Sequence, residues 1–116
     1  MNDLAKNKLE SSWHLINVLA EESRKSTFHY IITHTANKHL IENLREIAYN
    51  LINGTFPLKA ADKTFIKSRT KKLEYIANSK NNKKKIIEFL TKNHSIVRKV
   101  LILTLPFLRE FVPKLG

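Results

Sequence analysis

The apolar positions of this chain recur at intervals of three and four, most clearly between residues 37 and 53. There Leu40, Ile41, Leu44, Ile47, Ala48 and Leu51 share one side of a helix, and Asn37 stands where its side chain can cap the first turn. Gly54 follows directly and Pro57 comes soon after. A left-handed residue thus ends the helix and a proline discourages its resumption. Two weaker patterns precede this one. Trp13, Ile16, Val18, Leu19 and Ala20 predict a short helix over 11–22, with Ser11 or Ser12 as cap, and Phe28, Ile31, Ile32 and Thr35 predict another over 24–35.

Beyond the glycine the pattern changes character. Over 60–77, Phe65, Ile66, Leu73 and Ile76 fall within one arc at 100° per residue, while Lys59, Lys63, Lys67 and Lys71 step by four along another. This predicts one amphipathic helix with a lysine stripe about 18 Å long, against phosphates spaced about 3.4 Å apart along a duplex strand. Asn82 is placed to cap a helix over 83–92, with Ile86, Ile87, Phe89 and Leu90 inward. The triplet Lys83, Lys84 and Lys85 lies at its N-terminus, where the helix dipole disfavours cations, so a phosphate-binding reason suits it better than a structural one.

The last segment, 95–112, is apolar on nearly every side, with Ser95 as its expected cap and Pro106 expected to kink it. Such a helix belongs in its own core, in a self-association interface or against lipid, and Leu101, Leu105, Phe107, Leu108 and Phe111 are the residues expected to meet a partner or membrane. Its longest apolar run, Val100 to Leu108, is too short to cross a bilayer, which needs about 20 residues. The expected fold is all-α: a single domain over 1–116, a compact bundle of five or six short helices without a sheet. Two glycines and three prolines in 116 residues leave little material for hairpins, in agreement with that expectation.

Charge adds the functional direction. The net charge is +11, yet bases and acids balance up to Gly54 and the whole excess lies from Thr55 onward. A neutral half (1–54) is thus joined to a basic half (55–116), the asymmetry of a chain whose second part faces a polyanion. Lysine greatly outnumbers arginine in that part. Lysine acts as a point charge, whereas arginine is the usual bidentate reader of guanine, so binding to phosphates without sequence preference is expected. The candidate nucleic-acid contacts are Lys59, Lys63, Lys67, Arg69, Lys71, Lys72, Lys80, Lys83, Lys84 and Lys85. Phe65, Tyr75 and Phe89 sit in apolar arcs and are expected as core anchors, not as stacking platforms for single-stranded bases.

Other chemistry finds little footing. The absence of cysteine excludes disulfides and thiolate metal sites. His14, His29, His34, His39 and His94 never occur three or four apart, the spacings that bring two ligands to one helix face, and surface or boundary positions are expected for them. Glu42 and Glu46 are four apart, but Lys38 and Arg45 flank them and a solvated helix face accounts for them. No metal, cofactor or enzymatic activity is expected. The N-terminus lacks the pattern of a secretory signal.

The stretches LREIAYNLINGTFPL (44–58), KKLEYIA (71–77), NNKKKIIEFL (81–90) and the terminal LPFL (105–108), with SRKSTFHYIITHTANKHLI (23–41) upstream, resemble the short basic proteins of Maverick/Polinton-type DNA transposons and adenovirus-like DNA viruses of animals. The resemblance spans about 12–112. It matches best at Gly54, Pro57, Leu58, the lysines that follow and Lys83 to Lys85; the double glycine common before the family's last apolar stretch is replaced here by TKNHSIV. It implies a protein like the adenoviral core proteins, packaged with double-stranded DNA in the virion and found inside the host nucleus or cytoplasm. The competing expectations are a membrane-active or membrane-surface virion protein using the last helix, and a capsid or scaffold module, either as a homo-oligomer or with another partner.

Overall fold

The computed structural model describes residues 3–36, 38–79 and 82–111, with side chains for 9–36, 38–79 and 82–110. Among these residues there are seven α-helices and no strand. They are α1 (Asp3–Glu21), α2 (Lys25–Thr35), α3 (Lys38–Ile52), α4 (Ala60–Ser68), α5 (Thr70–Ala77), α6 (Lys83–Lys92) and α7 (His94–Leu108), the last continued by a 3-10 turn over Arg109–Phe111. The all-α expectation holds and the helix count is seven, not five or six.

Helix α3 is central, packing chiefly against α1 and α5. Leu40, Leu44, Ile47, Ala48 and Leu51 are buried as their spacing predicts, and Ile41 is half-buried. Each fully buried Leu or Ile side chain contributes about 1.5–3 kcal/mol relative to exposure. The helix closes in a Schellman motif. Gly54 sits at φ 69°, its N–H donates to Leu51 O at 3.2 Å, and the N–H of Thr55 donates to Asn50 O at 3.0 Å. Phe56 then turns inward, is buried and stacks on Phe107 of α7 with centroids 5.7 Å apart. The stop signal at the glycine therefore also sets where the chain re-enters the core. The proposed Asn37 cap lies outside the described residues.

Three boundaries differ from expectation. The first helix does not begin at Ser11 or Ser12: α1 runs through both, and Ser12 is buried. Leu9 extends the buried face of Ile16 and Leu19 by two turns, and this packing overrides the weak helix preference of the serines. The expected helix over 60–77 is broken at Arg69, whose φ of −116° and ψ of 14° are not helical. Its N–H bonds back three residues to Ile66 O at 3.0 Å, and the hydroxyls of Ser68 and Thr70 take the carbonyls of Phe65 (2.6 Å) and Lys67 (2.9 Å). Hydroxyl competition for helical carbonyls favours such a break. Ser95 does not cap the last helix, because Val97 N–H already bonds Asn93 O at 3.0 Å and α7 starts at His94. At α6 the expectation is met: Asn82 Oδ1 accepts from Lys85 N–H at 3.0 Å.

Helix α7 is not a free greasy rod. Val97, Val100, Leu101, Thr104 and Leu108 form one buried stripe, packed mainly against α1. Leu101 and Leu108, expected to meet a partner or membrane, are 1% and 0% exposed within the chain's own core, because the stripe repeats at three and four and α1 covers it. Leu105 and Phe107 are half-buried against the same core, Ile102 is the exposed apolar side chain of the helix, and the Phe111 side chain lies outside the described residues. Among the described residues no helix is long and apolar enough to cross a membrane.

Candidate nucleic-acid interface

The cationic side chains occupy the helices that follow Gly54. Lys59 stands at the N-cap position of α4, with Lys63 and Lys67 one and two turns on, and all three are exposed. They form the expected stripe as far as Lys67. The break at Arg69 ends it, so Lys71 does not continue the line. Instead Lys71 of α5 shares an open groove of about 510 Å³ with Lys85 of α6, between which lie Glu74, Tyr75, Asn78, Ser79 and Asn82. Lys72 is turned to the other end of α6, where its Nζ donates to Asn93 Oδ1 at 2.7 Å. Lys83, Lys84 and Lys85 are exposed on the first turn of α6, and Lys80 lies outside the described residues.

Arg69 is the exception among the candidates, being half-buried with its Nε shielded from solvent and without an acceptor. Its guanidinium carbon lies 5.4 Å from the centroid of Phe65, and Lys99 Nζ lies 4.2 Å from the same ring. Lys99 belongs to α7, and no spacing in the sequence connects it to Phe65. Only the packing of α7 near α4 brings the two together.

Across the described residues, the ion pairs join Arg24 to Glu22 (3.3 Å) and Lys38 to Glu42 (4.0 Å), both in the neutral half. None of the described lysines from Lys59 to Lys99 has a carboxylate oxygen within 4 Å. Every one of them is exposed. The positive charge of the second half is therefore not neutralised internally, and it is carried on helices whose inner residues Ile66, Leu73, Ile76, Ile86, Ile87 and Leu90 are buried.

The aromatic residues are more exposed than core anchors would be. Tyr75 is 45% exposed and stacks on Phe89 at 4.1 Å, while Phe65 and Phe89 are half-buried. All three lie at the edge of the core: Tyr75 and Phe89 cover each other, and Phe65 has Arg69 and Lys99 at its ring.

Not all basic residues of the second half point outward. Arg98 Nε donates to Ala20 O at 3.2 Å and Nη2 to Glu21 O at 3.5 Å, and His94 Nε2 bonds Glu22 O at 2.8 Å. These two residues cap the C-terminus of α1, where orphan carbonyls and the helix dipole favour cations and donors. His94 is buried with its ring edge-on to Phe28 at 4.8 Å, so the expectation of a surface or boundary position fails for it. The α1 terminus creates an interior need for a donor that spacing alone does not reveal. Glu22 is held below the ordinary carboxylate range, first by the backbone N–H of Arg24 and then by its side chain. His14, His29, His34 and His39 are exposed. Glu42 and Glu46 are half-buried and engaged with Lys38 and Asn50 respectively.

Neither the protein-family models, nor the curated proteins, nor the solved structures yield a match to this chain.

Proposed function

We propose that this protein binds double-stranded DNA through the phosphate backbone without reading its sequence, and condenses it as a core or packaging component of a virion. The observation that carries this reading is the set of exposed lysines on α4, α5 and α6, none of which has a carboxylate partner among the described residues. Internally unpaired cations on a folded support release counterions when they meet a polyanion, and that release drives association. The position of Lys83 and Lys84 supports the same reading. Cations on the first turn of α6 oppose its dipole and lower stability, a cost that phosphate binding would offset. The sequence resemblance to short basic proteins of DNA transposons and adenovirus-like viruses supports the packaging role.

The test is the salt dependence of duplex binding by the full chain. If six to ten phosphates are engaged, affinity falls about 10³- to 10⁵-fold between 50 and 200 mM salt. Reversing Lys63, Lys67 and Lys71 to Glu together should abolish binding of every duplex sequence alike. A response indifferent to salt removes the reading.

A further inference from the structure

We propose that the groove between α5 and the start of α6 takes one unpaired base of a DNA strand, stacked on Tyr75 with the strand's phosphates on Lys71 and Lys85; the site rests on the DNA-binding reading above and adds a contact that paired, stacked bases cannot make. Helix α5 buries Leu73 and Ile76 and turns Lys71, Glu74, Tyr75 and Asn78, which recur at spacings of three and four, to one exposed face. All four line the groove, and Asn82 and Lys85 at the start of α6 complete it. Its volume of about 510 Å³ falls within the range of small-ligand sites, about 300–1,000 Å³.

Three features select the ligand. The first is a held aromatic ring. Phe89 stacks on Tyr75 with centroids 4.1 Å apart and planes 21° apart, and Phe89 is not among the described residues that line the groove. Tyr75 is still 45% exposed, so the uncovered part of its ring belongs to the groove. A ring already fixed from behind offers a base a stacking partner at little cost in ordering. The second feature is the pair of lysines, neither with a carboxylate oxygen within 4 Å among the described residues. The third is the polar groups that share the groove with them. Glu74 repels an anion lodged in the groove, yet it accepts from N–H groups, and every unpaired base carries at least one N–H on its edge. The Asn78 side chain makes no hydrogen bond among the described residues, and Asn82 engages its Oδ1, which accepts from Lys85 N–H at 3.0 Å, so both amides keep N–H donors for base acceptors. A bare phosphate would use the lysines and leave Tyr75 and Glu74 idle. The exposed Lys83 and Lys84 beside Lys85 carry the positive charge past the groove, which favours a strand over a free nucleotide. Because every base has a π face, the contact is indifferent to sequence.

The experiment follows the ring resonances of Tyr75 in the isotopically labelled full-length protein as a mixed-sequence single-stranded oligonucleotide, a blunt duplex or deoxycytidine monophosphate is added. In parallel, affinities for the single strand and the blunt duplex are measured for the native chain, Tyr75→Leu and Tyr75→Phe. The single strand should shift the Tyr75 ring upfield. The ratio of single-strand to blunt-duplex affinity should fall about tenfold in Tyr75→Leu and be kept in Tyr75→Phe, which retains the stacking face. These two results support the site, and the resonance measurement on the native chain does not depend on any variant folding. Duplex binding with an unmoved Tyr75 ring overturns the base site and leaves the DNA-binding reading intact. A ring shifted by the single strand without any duplex binding retains the base site and overturns the duplex reading. An equal shift with the monophosphate at the same nucleotide concentration overturns the strand as occupant. No response to any probe overturns both readings.

Discussion

Arg98 reaches from α7 to the last turn of α1 and donates its Nε–H to Ala20 O at 3.2 Å, so a cation of the basic half is spent holding the neutral half in place. Its guanidinium is half-buried there, beside His94 on Glu22 O. Formal charge alone would have counted Arg98 with the exposed lysines of α4, α5 and α6.

Replacing Arg98 by Met should therefore cost stability and not binding. Hydrogen bonds to charged groups contribute about 1.5–3 kcal/mol when well shielded, and partial exposure brings the expected loss to about 1–2 kcal/mol. Urea unfolding measures this loss. Duplex affinity should fall no more than one removed distant charge requires, and a drop as large as that of the α4 lysines would contradict the inward assignment.

The first turn of α6 should show the opposite trade. Lys83→Glu with Lys84→Glu places anions where the dipole favours them, and a gain of about 0.3–1 kcal/mol per site is expected in thermal unfolding at low salt. DNA affinity should fall in the same protein. A variant that loses both stability and affinity would show that these lysines have a structural role absent from the hydrogen bonds seen.

Gly54→Ala tests the Schellman motif alone. A Cβ at this position would meet nothing within 4 Å, so the penalty is conformational and comes from φ of 69°. A loss of about 1–2 kcal/mol is expected. Gly54→Asn should cost less, since Asn tolerates the left-handed region. Equal losses from the two would point to a contact and not to backbone conformation.

Ser12→Ala should be neutral or stabilising by up to about 1 kcal/mol, because the Ser12 hydroxyl is buried and has no partner among the described residues. The shift in urea midpoint reports it. A clear destabilisation would reveal an acceptor that the hydroxyl serves.

What the sequence revealed and what it hid follow one division. Local patterns carried α3, its termination at Gly54 and the Asn82 cap, because each depends on residues within a few positions of one another. The break at Arg69 was hidden because the apolar period continues from Ile66 to Leu73 while the hydroxyls of Ser68 and Thr70 quietly take helical carbonyls. The exposure of the α4 lysines was legible from their arc. The inward roles of His94 and Arg98, and the meeting of Lys99 with Phe65, were not, since they arise from helix packing between distant segments. The all-apolar look of α7 was misleading for a related reason: composition counts residues around a helix, whereas burial depends on which neighbour covers which side.

The bonds of Arg98 and His94 to the end of α1 also have a bearing on how the chain behaves when cut. Cleavage within the exposed 53–55 turn would not set free a basic tail and an inert remnant. The severed pieces would stay joined through α3 on α5, α1 on α7 and the bonds of Arg98 and His94 to the end of α1, and the nicked protein would migrate as one particle until denaturant parted them.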